Sequence, residues 1–288
     1  MSSTAVSLPR RFASLVKLEH TVFALPFAYV GMLLALAEVP PARDWLWVTV
    51  AMVGARTLAM GLNRLIDAEV DARNPRTATR ELPAGTLSRG QVAGLCVAAL
   101  AVFLLAVFQL DPLVRWLWPV PVVLFAVYPY LKHVTWLCHL WLGASLGLAP
   151  VGAWAAVTGE LPWQAWALGG AVALWVAGFD LFYSLFDAEH DRAEGLRSWA
   201  VRFGERGVFA GTRLHHLGTV ALLVLAGLGL DVRLAYWLGI AAVAVLLLYE
   251  HLLVRPGDLR RLDAAFFTVN GVISIVFLGF VLADVLLR

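Results

Sequence analysis

The stretch Asn63-Arg64-Leu65-Ile66-Asp67-Ala68-Glu69-Val70-Asp71 stands where a strongly apolar run ends in carboxylates. A second stretch, Asp187-Ala188-Glu189-His190-Asp191, repeats the last five residues about 120 positions later with one difference. In each string the two aspartates are four residues apart, which places them on one face of a helix. We therefore expect two carboxylate pairs that can converge on a divalent metal and an anionic ligand.

The composition is typical of a membrane protein. Of the 288 residues, 61% are hydrophobic and 15% are charged, and the mean hydropathy is +0.79. Soluble domains are about half apolar and about a quarter charged. We predict a single all-α, polytopic membrane domain over residues 1–288, with no cleaved signal peptide and no nucleic-acid partner. Cys96 and Cys138 lie in apolar segments and are predicted to be buried thiols.

Apolar segments of about 20 residues predict nine transmembrane helices. Their ranges are 19–37, 44–63, 91–110, 114–131, 136–157, 163–183, 214–231, 235–254 and 264–286. Most of the 22 Lys and Arg residues then fall on one side, which the positive-inside rule assigns to the cytoplasm. We predict a cytoplasmic N-terminus, cytoplasmic acidic motifs and an external C-terminus, in the inner membrane of a prokaryotic-type cell.

The loops that follow the two acidic motifs predict an internal duplication. These loops, at about 64–90 and 184–213, are the longest in the chain, and each carries five arginines. They follow the second and sixth predicted helices, which indicates two four-helix units offset by about 120 residues. Parallel repeats bring corresponding loops together around one central cavity.

Several residues within or near the predicted spans are interpreted as structural. The fifth span has a small-residue face suited to close helix contact, made by Gly143, Gly147 and Gly152. Asn270, in the last span, is predicted to form a hydrogen bond between helices. The pairs His215-His216 and Glu250-His251 lack further metal-ligand spacing and are predicted to lie at the membrane interface.

Other chemically active side chains continue along the same two helix faces. The first face carries Arg56, Asn63, Asp67 and Asp71, and the second carries Asp180, Tyr183, Asp187 and Asp191. Carboxylate and amide oxygens suit Mg²⁺, an ion that also bridges to phosphate oxygens. Nearby arginines can bind those oxygens in a bidentate manner; they are Arg76, Arg80 and Arg197. Acids for a metal and bases for phosphate predict a diphosphate ligand at the membrane surface.

The combined motifs resemble those of the UbiA superfamily of intramembrane prenyltransferases. The first signature is Asn63-x3-Asp67-x3-Asp71 followed by Arg76-Thr77-x2-Arg80-x-Leu82-Pro83-x-Gly85, and Tyr128-x3-Lys132 resembles the middle motif. The second signature is Asp180-x2-Tyr183-x3-Asp187-x3-Asp191, with Gly195-x-Arg197-Ser198 and Arg202-Phe203-Gly204 after it. The likeness runs from about residue 15 through the last predicted helix.

The resemblance implies nine helices around a central cavity, with Mg²⁺–diphosphate between the motifs. The implied metal ligands are Asn63, Asp67, Asp71, Asp187 and Asp191. The implied diphosphate-binding bases are Arg76, Arg80, Lys132 and Arg197. From their chemistry we add Arg56 for a carboxylate of the acceptor, Tyr128 and Tyr183 beside the allylic cation, and Asp180 for orienting the acceptor or taking its ring proton. The aspartates of both motifs, with Asp180, are the predicted catalytic residues.

Two residues depart from the usual family pattern, Arg64 and Glu81. Together with the sequence at the start of the first predicted helix, they resemble the 4-hydroxybenzoate polyprenyltransferase-like subgroup. That sequence is Lys17-Leu18-Glu19-His20-Thr21-Val22-Phe23-Ala24-Leu25-Pro26. Some of its members are assigned to the futalosine route to menaquinone. The expected function is Mg²⁺-dependent transfer of a polyprenyl group from an allylic polyprenyl diphosphate to an aromatic acid of the 4-hydroxybenzoate type, in ubiquinone or menaquinone biosynthesis. Alternative acceptors are a naphthoate of the futalosine route, a porphyrin or a glycerol phosphate.

Two other classes of protein are alternatives to an enzyme. An ion-coupled transporter also uses internal repeats and intramembrane acids, but here the acids cluster at one membrane face instead of lining both sides. A scaffold that binds anionic lipid through its basic loops leaves the matched acid pairs unexplained. The sequence therefore favours the enzyme.

Overall fold

The computed structural model describes residues 8–16, 21–255, 257, 259 and 264–288, and within them the chain forms helices and no β-strand. The predicted all-α class is therefore confirmed. The first seven residues, the predicted start of the first transmembrane helix at Glu19 and His20, and residues 260–263 lie outside this described part.

Twelve α-helices follow one another in the described residues. They are α1 (Leu8–Val16), α2 (Thr21–Leu36), α3 (Ala42–Arg73), α4 (Arg89–Val107), α5 (Val114–Leu117), α6 (Pro119–Val134), α7 (Cys138–Thr158), α8 (Trp163–Tyr183), α9 (Ala188–Ala193), α10 (Trp199–Leu228), α11 (Leu234–Leu253) and α12 (Asn270–Leu286). Eight segments are long and apolar enough to cross a membrane, α5 and α6 counting as one, and α2 adds a shorter apolar helix. These nine segments correspond to the nine predicted spans.

The helix that carries the first acidic motif is longer than predicted. α3 has 32 residues, about 48 Å at 1.5 Å per residue, and so extends beyond a hydrocarbon core of roughly 30 Å. The predicted loop at 64–90 is wrong over its first ten residues, because one face of α3 stays buried in protein after Asn63. That continued face, which includes Asp67 and Asp71, keeps the whole first motif helical.

The second motif does not lie on one continuous helix, contrary to the prediction. α8 ends at Tyr183, a 3₁₀ turn covers Ser184–Phe186, and α9 begins at Ala188. Ser184 donates its hydroxyl to the carbonyl of Leu181 at 2.6 Å, a local bond that competes with helix continuation. Asp187 therefore sits at a helix break and not on the face of α8.

The predicted loop at 184–213 also contains more helix than expected. α10 begins at Trp199, where the Ser198 side chain accepts the N–H of Val201 as an N-cap. The early part of α10 is held because Val208 and Phe209 are buried against the end of α8. The span predicted at 214–231 is thus only the second part of α10.

Close packing of α7 against α8 positions the interior of the site. A Cβ atom at Gly143 would overlap the carbonyl of Ala173, and one at Gly147 would lie 2.5 Å from the carbonyl oxygen of Gly169. These two glycines confirm the predicted small-residue face. Gly152, predicted to share it, has no other residue of the described part within 4 Å of such a Cβ. Cys96 and Cys138 are buried and free, as predicted.

Candidate active site

The two acidic motifs meet directly at one end of the bundle. Arg76, in the turn after α3, donates from Nε to Asp187 Oδ1 at 2.9 Å and from Nη2 to Oδ2. Asn74 donates to the same Asp187 Oδ1 at 3.2 Å. Arg73 Nε lies 2.8 Å from Glu194 Oε2. The prediction that both motifs lie on the same side is consistent with these contacts.

The turn that follows α3 aims Arg76 at the second motif. The side chain of Asn74 accepts the backbone N–H of Arg76 at 2.9 Å, forming a tight turn directly after the helix. Thr77 donates its hydroxyl to the carbonyl of Asp71 at 2.9 Å and is 2% exposed. These local bonds fix the chain direction, so the guanidinium of Arg76 crosses to Asp187.

The first motif forms a buried acid–base network. Lys132 Nζ, at the end of α6, lies 2.9 Å from Asp67 Oδ2, and Asn63 donates to the same oxygen at 3.0 Å. Arg80 Nη1 donates to both carboxylate oxygens of Asp71 at 2.7 Å. Asp67 and Asp71 are each only 6% exposed. Because an isolated buried charge is costly, each carboxylate is compensated by a base.

Arg64 is a second cation beside Asp71 to which the sequence reasoning assigned no role. Its Nη1 lies 4.0 Å from Asp71 Oδ2, and the residue is 5% exposed. The sequence did contain a feature that singles out Arg64, because this residue departs from the family pattern within the first signature. An arginine buried at this position adds positive charge on the side of the network where Arg80 also lies.

Around the second motif, Tyr183 and Asp191 complete the charged end of the bundle. Arg76 Nη1 donates to Tyr183 Oη at 3.1 Å, and the guanidinium carbon lies 5.3 Å from the centre of that ring. Burial opposes the charge on Arg76, but its bonds to Asp187 outweigh burial and raise the pKa of Arg76. Burial and the neighbouring charge of Asp187 raise the pKa of Asp191.

Arg197 is placed differently from the other predicted phosphate-binding bases. Its Nη1 donates to the carbonyl of Val134 at 2.7 Å, and its backbone N–H donates to the carbonyl of Lys132 at 2.6 Å. Arg197 therefore binds the end of α6 to the segment before α10, instead of pairing with an acid of either motif. Its side chain is exposed at the same end of the bundle.

Arg56 lies deeper, on the wall of an apolar cavity. The cavity has a volume of about 270 Å³ and is enclosed mainly by α3, α4, α6 and α7. Arg56 and Ser145 contribute polar groups to walls that are otherwise almost entirely apolar, with Trp118 and Trp166 among the lining residues. Arg56 lies seven residues, or almost two helical turns, before Asn63, about 10 Å along α3. The cavity lies toward the opposite end of the bundle from the charged network, and Arg56 and Ala59 are the α3 lining residues nearest to that network.

Asp180 binds a residue that the sequence reasoning missed. Asp180 Oδ2 lies 2.6 Å from Nδ1 of His139, the second residue of α7. His139 is 7% exposed. It lies inside the predicted span 136–157, so the rule that singled out Asp180 as an intramembrane ionisable residue should also have found it. Tyr128 lies one turn before Lys132 on α6, and its hydroxyl is close enough to the carboxylates of Asp180 and Asp67 to interact with their charges.

Two predictions for residues outside the site have different outcomes. Asn270 was predicted to bond between helices, and this is confirmed because it donates to Glu250 Oε1 at 3.2 Å and accepts from Trp175 Nε1 at 2.7 Å. Glu250 and His216 are covered by protein, at 0% and 4% exposed, and their position at the membrane interface stays a prediction. The periodicity located the ends of helices but not the neighbouring helices that cover them.

The predicted metal ligands are not gathered into a ready-made cluster. Among the described residues, no group of three or more His, Cys, Asp or Glu side chains is close enough to hold one ion. The donors nevertheless fit Mg²⁺ chemically, since the carboxylates of Asp67, Asp71 and Asp187 and the amide of Asn63 are hard oxygen ligands. Each of these carboxylates is bound to a basic side chain that can also bind phosphate.

A helical bundle with membrane-length helices, two bridged acidic motifs paired with basic side chains and an apolar interior is typical of an integral membrane protein with a charged site at one end. The chain belongs to the UbiA prenyltransferase family, whose model matches residues 24–272. It is therefore a prenyltransferase, and the resemblance predicted from the motifs is confirmed.

Curated relatives and solved structures match nearly the whole chain. A 4-hydroxybenzoate octaprenyltransferase of Vibrio campbellii is 32% identical over 96% of this chain and 94% of its own length. One from Xanthomonas euvesicatoria is 32% identical over 95% and 88%. The apo structure of a UbiA homologue from Aeropyrum pernix is 30% identical, with a TM-score of 0.84 over 92% of this chain and 98% of that one. A homologue from Archaeoglobus fulgidus, solved with GPP and Mg²⁺, shares the fold at 18% identity, with a TM-score of 0.76 over 96% and 99%.

Proposed function

We propose that this protein transfers a polyprenyl group from an allylic polyprenyl diphosphate to an aromatic acid of the 4-hydroxybenzoate type, in ubiquinone or menaquinone biosynthesis, with Mg²⁺ as its cofactor. The observation that carries the proposal is the direct bridge between the two acidic motifs at one end of a bundle whose interior holds an apolar cavity. This arrangement matches the two parts of the donor, a diphosphate head and an apolar tail. The relatives named as 4-hydroxybenzoate octaprenyltransferases support the acceptor class.

The acid–base pairs explain how one end of the bundle can accept Mg²⁺–diphosphate. Asp67, Asp71, Asp187, Asp191 and Asn63 would hold the metal. The bases that now pair with these acids would bind the diphosphate, and they are Lys132, Arg80 and Arg76. Asp67, Asp71 and Asp187 would thus each exchange one partner of opposite charge for another, so binding leaves none of these three carboxylates uncompensated. Arg197, which holds the end of α6, is exposed near enough to this end to contribute a further cation.

The chain's own residues account for the rest of the transfer. When bound, Mg²⁺ supplies electrostatic stabilisation of the departing diphosphate. Arg76, Arg80 and Lys132 stabilise the same negative charge as the allylic C–O bond breaks. We assign to the rings of Tyr128 and Tyr183 the stabilisation of the positive charge left on the prenyl group. The helical bundle excludes water, which would otherwise capture the cation.

Arg56 and Asp180 are the groups proposed to act on the acceptor. A guanidinium binds a carboxylate in a bidentate manner, and Arg56 lies on the cavity wall, among the α3 lining residues nearest to the charged network. Asp180 is proposed to accept the ring proton after the new C–C bond forms. A naphthoate of the futalosine route carries a carboxylate too, so it is the second candidate acceptor that Arg56 favours. The names of the relatives cited above give no support to a porphyrin or a glycerol phosphate acceptor.

We further propose that the chain is one domain built from two four-helix units, with the N-terminus and the charged network on the cytoplasmic side of the inner membrane. Most lysines and arginines lie on the same side of the predicted spans as the charged network. The positive-inside rule assigns that side to the cytoplasm, which supports this orientation.

The experiment that tests the function is prenyl transfer by the purified protein in detergent. Geranyl diphosphate is supplied with 4-hydroxybenzoate or 1,4-dihydroxy-6-naphthoate, each in Mg²⁺ and in EDTA. We expect Mg²⁺-dependent prenylated product with one acceptor, which also selects the pathway. No product with either acceptor, in a protein that still unfolds cooperatively, contradicts the proposed acceptor class.

A further inference from the structure

The contact between His139 and Asp180 is built from two helices that pack at close range. His139 is the second residue of α7 and Asp180 lies near the end of α8, and the atoms His139 Nδ1 and Asp180 Oδ2 are 2.6 Å apart. Their side chains are 8% and 14% exposed. Because the glycine face of α7 sets the distance to α8, the contact is fixed by backbone packing and not by a flexible surface side chain.

The other ring nitrogen of His139 faces the start of α10. The backbone N–H of Trp199, in the first turn of α10, lies 3.4 Å from His139 Nε2. The ring is therefore held between two elements, with Nδ1 as the nitrogen that faces Asp180 Oδ2. Because a carboxylate oxygen accepts, His139 donates from Nδ1 to Asp180 Oδ2.

This bond leaves one oxygen of Asp180 for chemistry. Oδ2 is held by His139, whereas Oδ1 makes no hydrogen bond to any side chain or N–H in the described part of the chain. Asp180 is thus held in one orientation, with one oxygen available.

We propose that His139 is a positioning residue that holds Asp180 as the base for the aromatic acceptor. This role rests on the proposed function. The ring carbon of the acceptor forms the new C–C bond with the allylic carbon, whose C–O electron pair leaves with the diphosphate. The proton on that ring carbon then goes to Asp180 Oδ1, and the C–H electron pair restores aromaticity. The proton leaves Asp180 to water when the product departs.

The geometry provides a matched pair of variants. The side-chain N–H₂ of asparagine can occupy the position of His139 Nδ1, so His139→Asn keeps a donor to Asp180. His139→Leu has a similar size and removes the donor. We measure kcat and KM for both substrates, and the isotope effect on turnover when the acceptor is deuterated at its ring positions.

We expect His139→Leu to lower kcat by about 100-fold, within the range for loss of a positioned acid or base, with the KM of geranyl diphosphate unchanged. His139→Asn should recover to within about tenfold of the wild type. The deuterium isotope effect should rise in His139→Leu, because proton removal becomes slower than the preceding steps. Donor binding in Mg²⁺ checks that each variant is folded.

The outcomes separate this role from the proposed function. A wild type that prenylates neither acceptor contradicts the function, and the role of His139 with it. A wild type that is active, with His139→Leu and His139→Asn equally impaired and no change in isotope effect, shows that His139 serves packing alone and overturns the role while the function stands. An unimpaired His139→Leu overturns it as well.

Discussion

The pair formed by Arg80 and Asp71 separates stability from catalysis more cleanly than any other contact in the charged network. Both oxygens of Asp71 accept from one nitrogen of Arg80 at 2.7 Å, and Asp71 is 6% exposed. Removing one partner of a buried pair typically costs about 3–5 kcal/mol, because the other charge is left without compensation. Arg64 remains 4.0 Å from Asp71, and the Arg80 side chain is 22% exposed. Both facts reduce the expected loss for Arg80→Ala to about 2 kcal/mol.

The double variant Arg80→Ala with Asp71→Asn removes the unpaired charge, so its stability should return to within about 1 kcal/mol of the wild type. Its prenyl transfer should remain lost, because a proposed metal ligand and a proposed phosphate ligand are both absent. Stability is measured by denaturant unfolding in detergent, and transfer by product formation. Two results would refute the reasoning: an Arg80→Ala protein as stable as the wild type, or a double variant that regains turnover with its stability.

Three further substitutions test residues with separate roles. Asp191→Asn should abolish transfer with unchanged thermal unfolding, because Asp191 is a proposed metal ligand and forms no ion pair within the described residues. With 4-hydroxybenzoate as acceptor, Arg56→Ala should raise the acceptor KM by at least tenfold and leave the KM of geranyl diphosphate unchanged, since only the acceptor carries a carboxylate. Glu250→Gln should be at least as stable as the wild type in denaturant unfolding, because its Oε2 has no partner in the described part.

Each of these substitutions has a control. Glu189→Gln, in the same short helix as Asp191, should retain transfer, and full activity in Asp191→Asn contradicts the metal assignment. Arg56→Lys keeps the charge and should recover part of the acceptor affinity, whereas equal effects of Arg56→Ala on both substrates argue against an acceptor site. A clear loss of stability in Glu250→Gln would mean that the carboxylate itself is needed there.

The sequence was sufficient for the architecture and for the helical face of the first acidic motif, because both depend on local patterns. Hydropathy reports burial in lipid directly, so the nine apolar segments were found. The four-residue spacing of Asp67 and Asp71 placed both on one face of α3, where the structure has them. The predicted helix ends were wrong where a helix is covered by protein and not by lipid, as in α3 after Asn63 and in α10 before residue 214.

What the sequence could not provide was the partner of each charged group. Which base neutralises which acid depends on the turn at Asn74 and on the break after Tyr183, and neither turn is encoded by helical periodicity. The bond between His139 and Asp180 joins residues 41 positions apart. Such a pair follows from the packing of two helices at small residues, which a single sequence indicates only in part.

The central claim is that the two acidic motifs and their bases together bind Mg²⁺ and the donor diphosphate. The most direct test is the affinity of the purified protein for geranyl thiolodiphosphate, a donor analogue that resists ionisation, measured by calorimetry in Mg²⁺ and in EDTA. We predict that binding requires Mg²⁺ and weakens at least tenfold in Arg76→Ala, which loses the bridge between the motifs. Equal affinity in Mg²⁺ and EDTA, or unchanged affinity in Arg76→Ala, would contradict the claim.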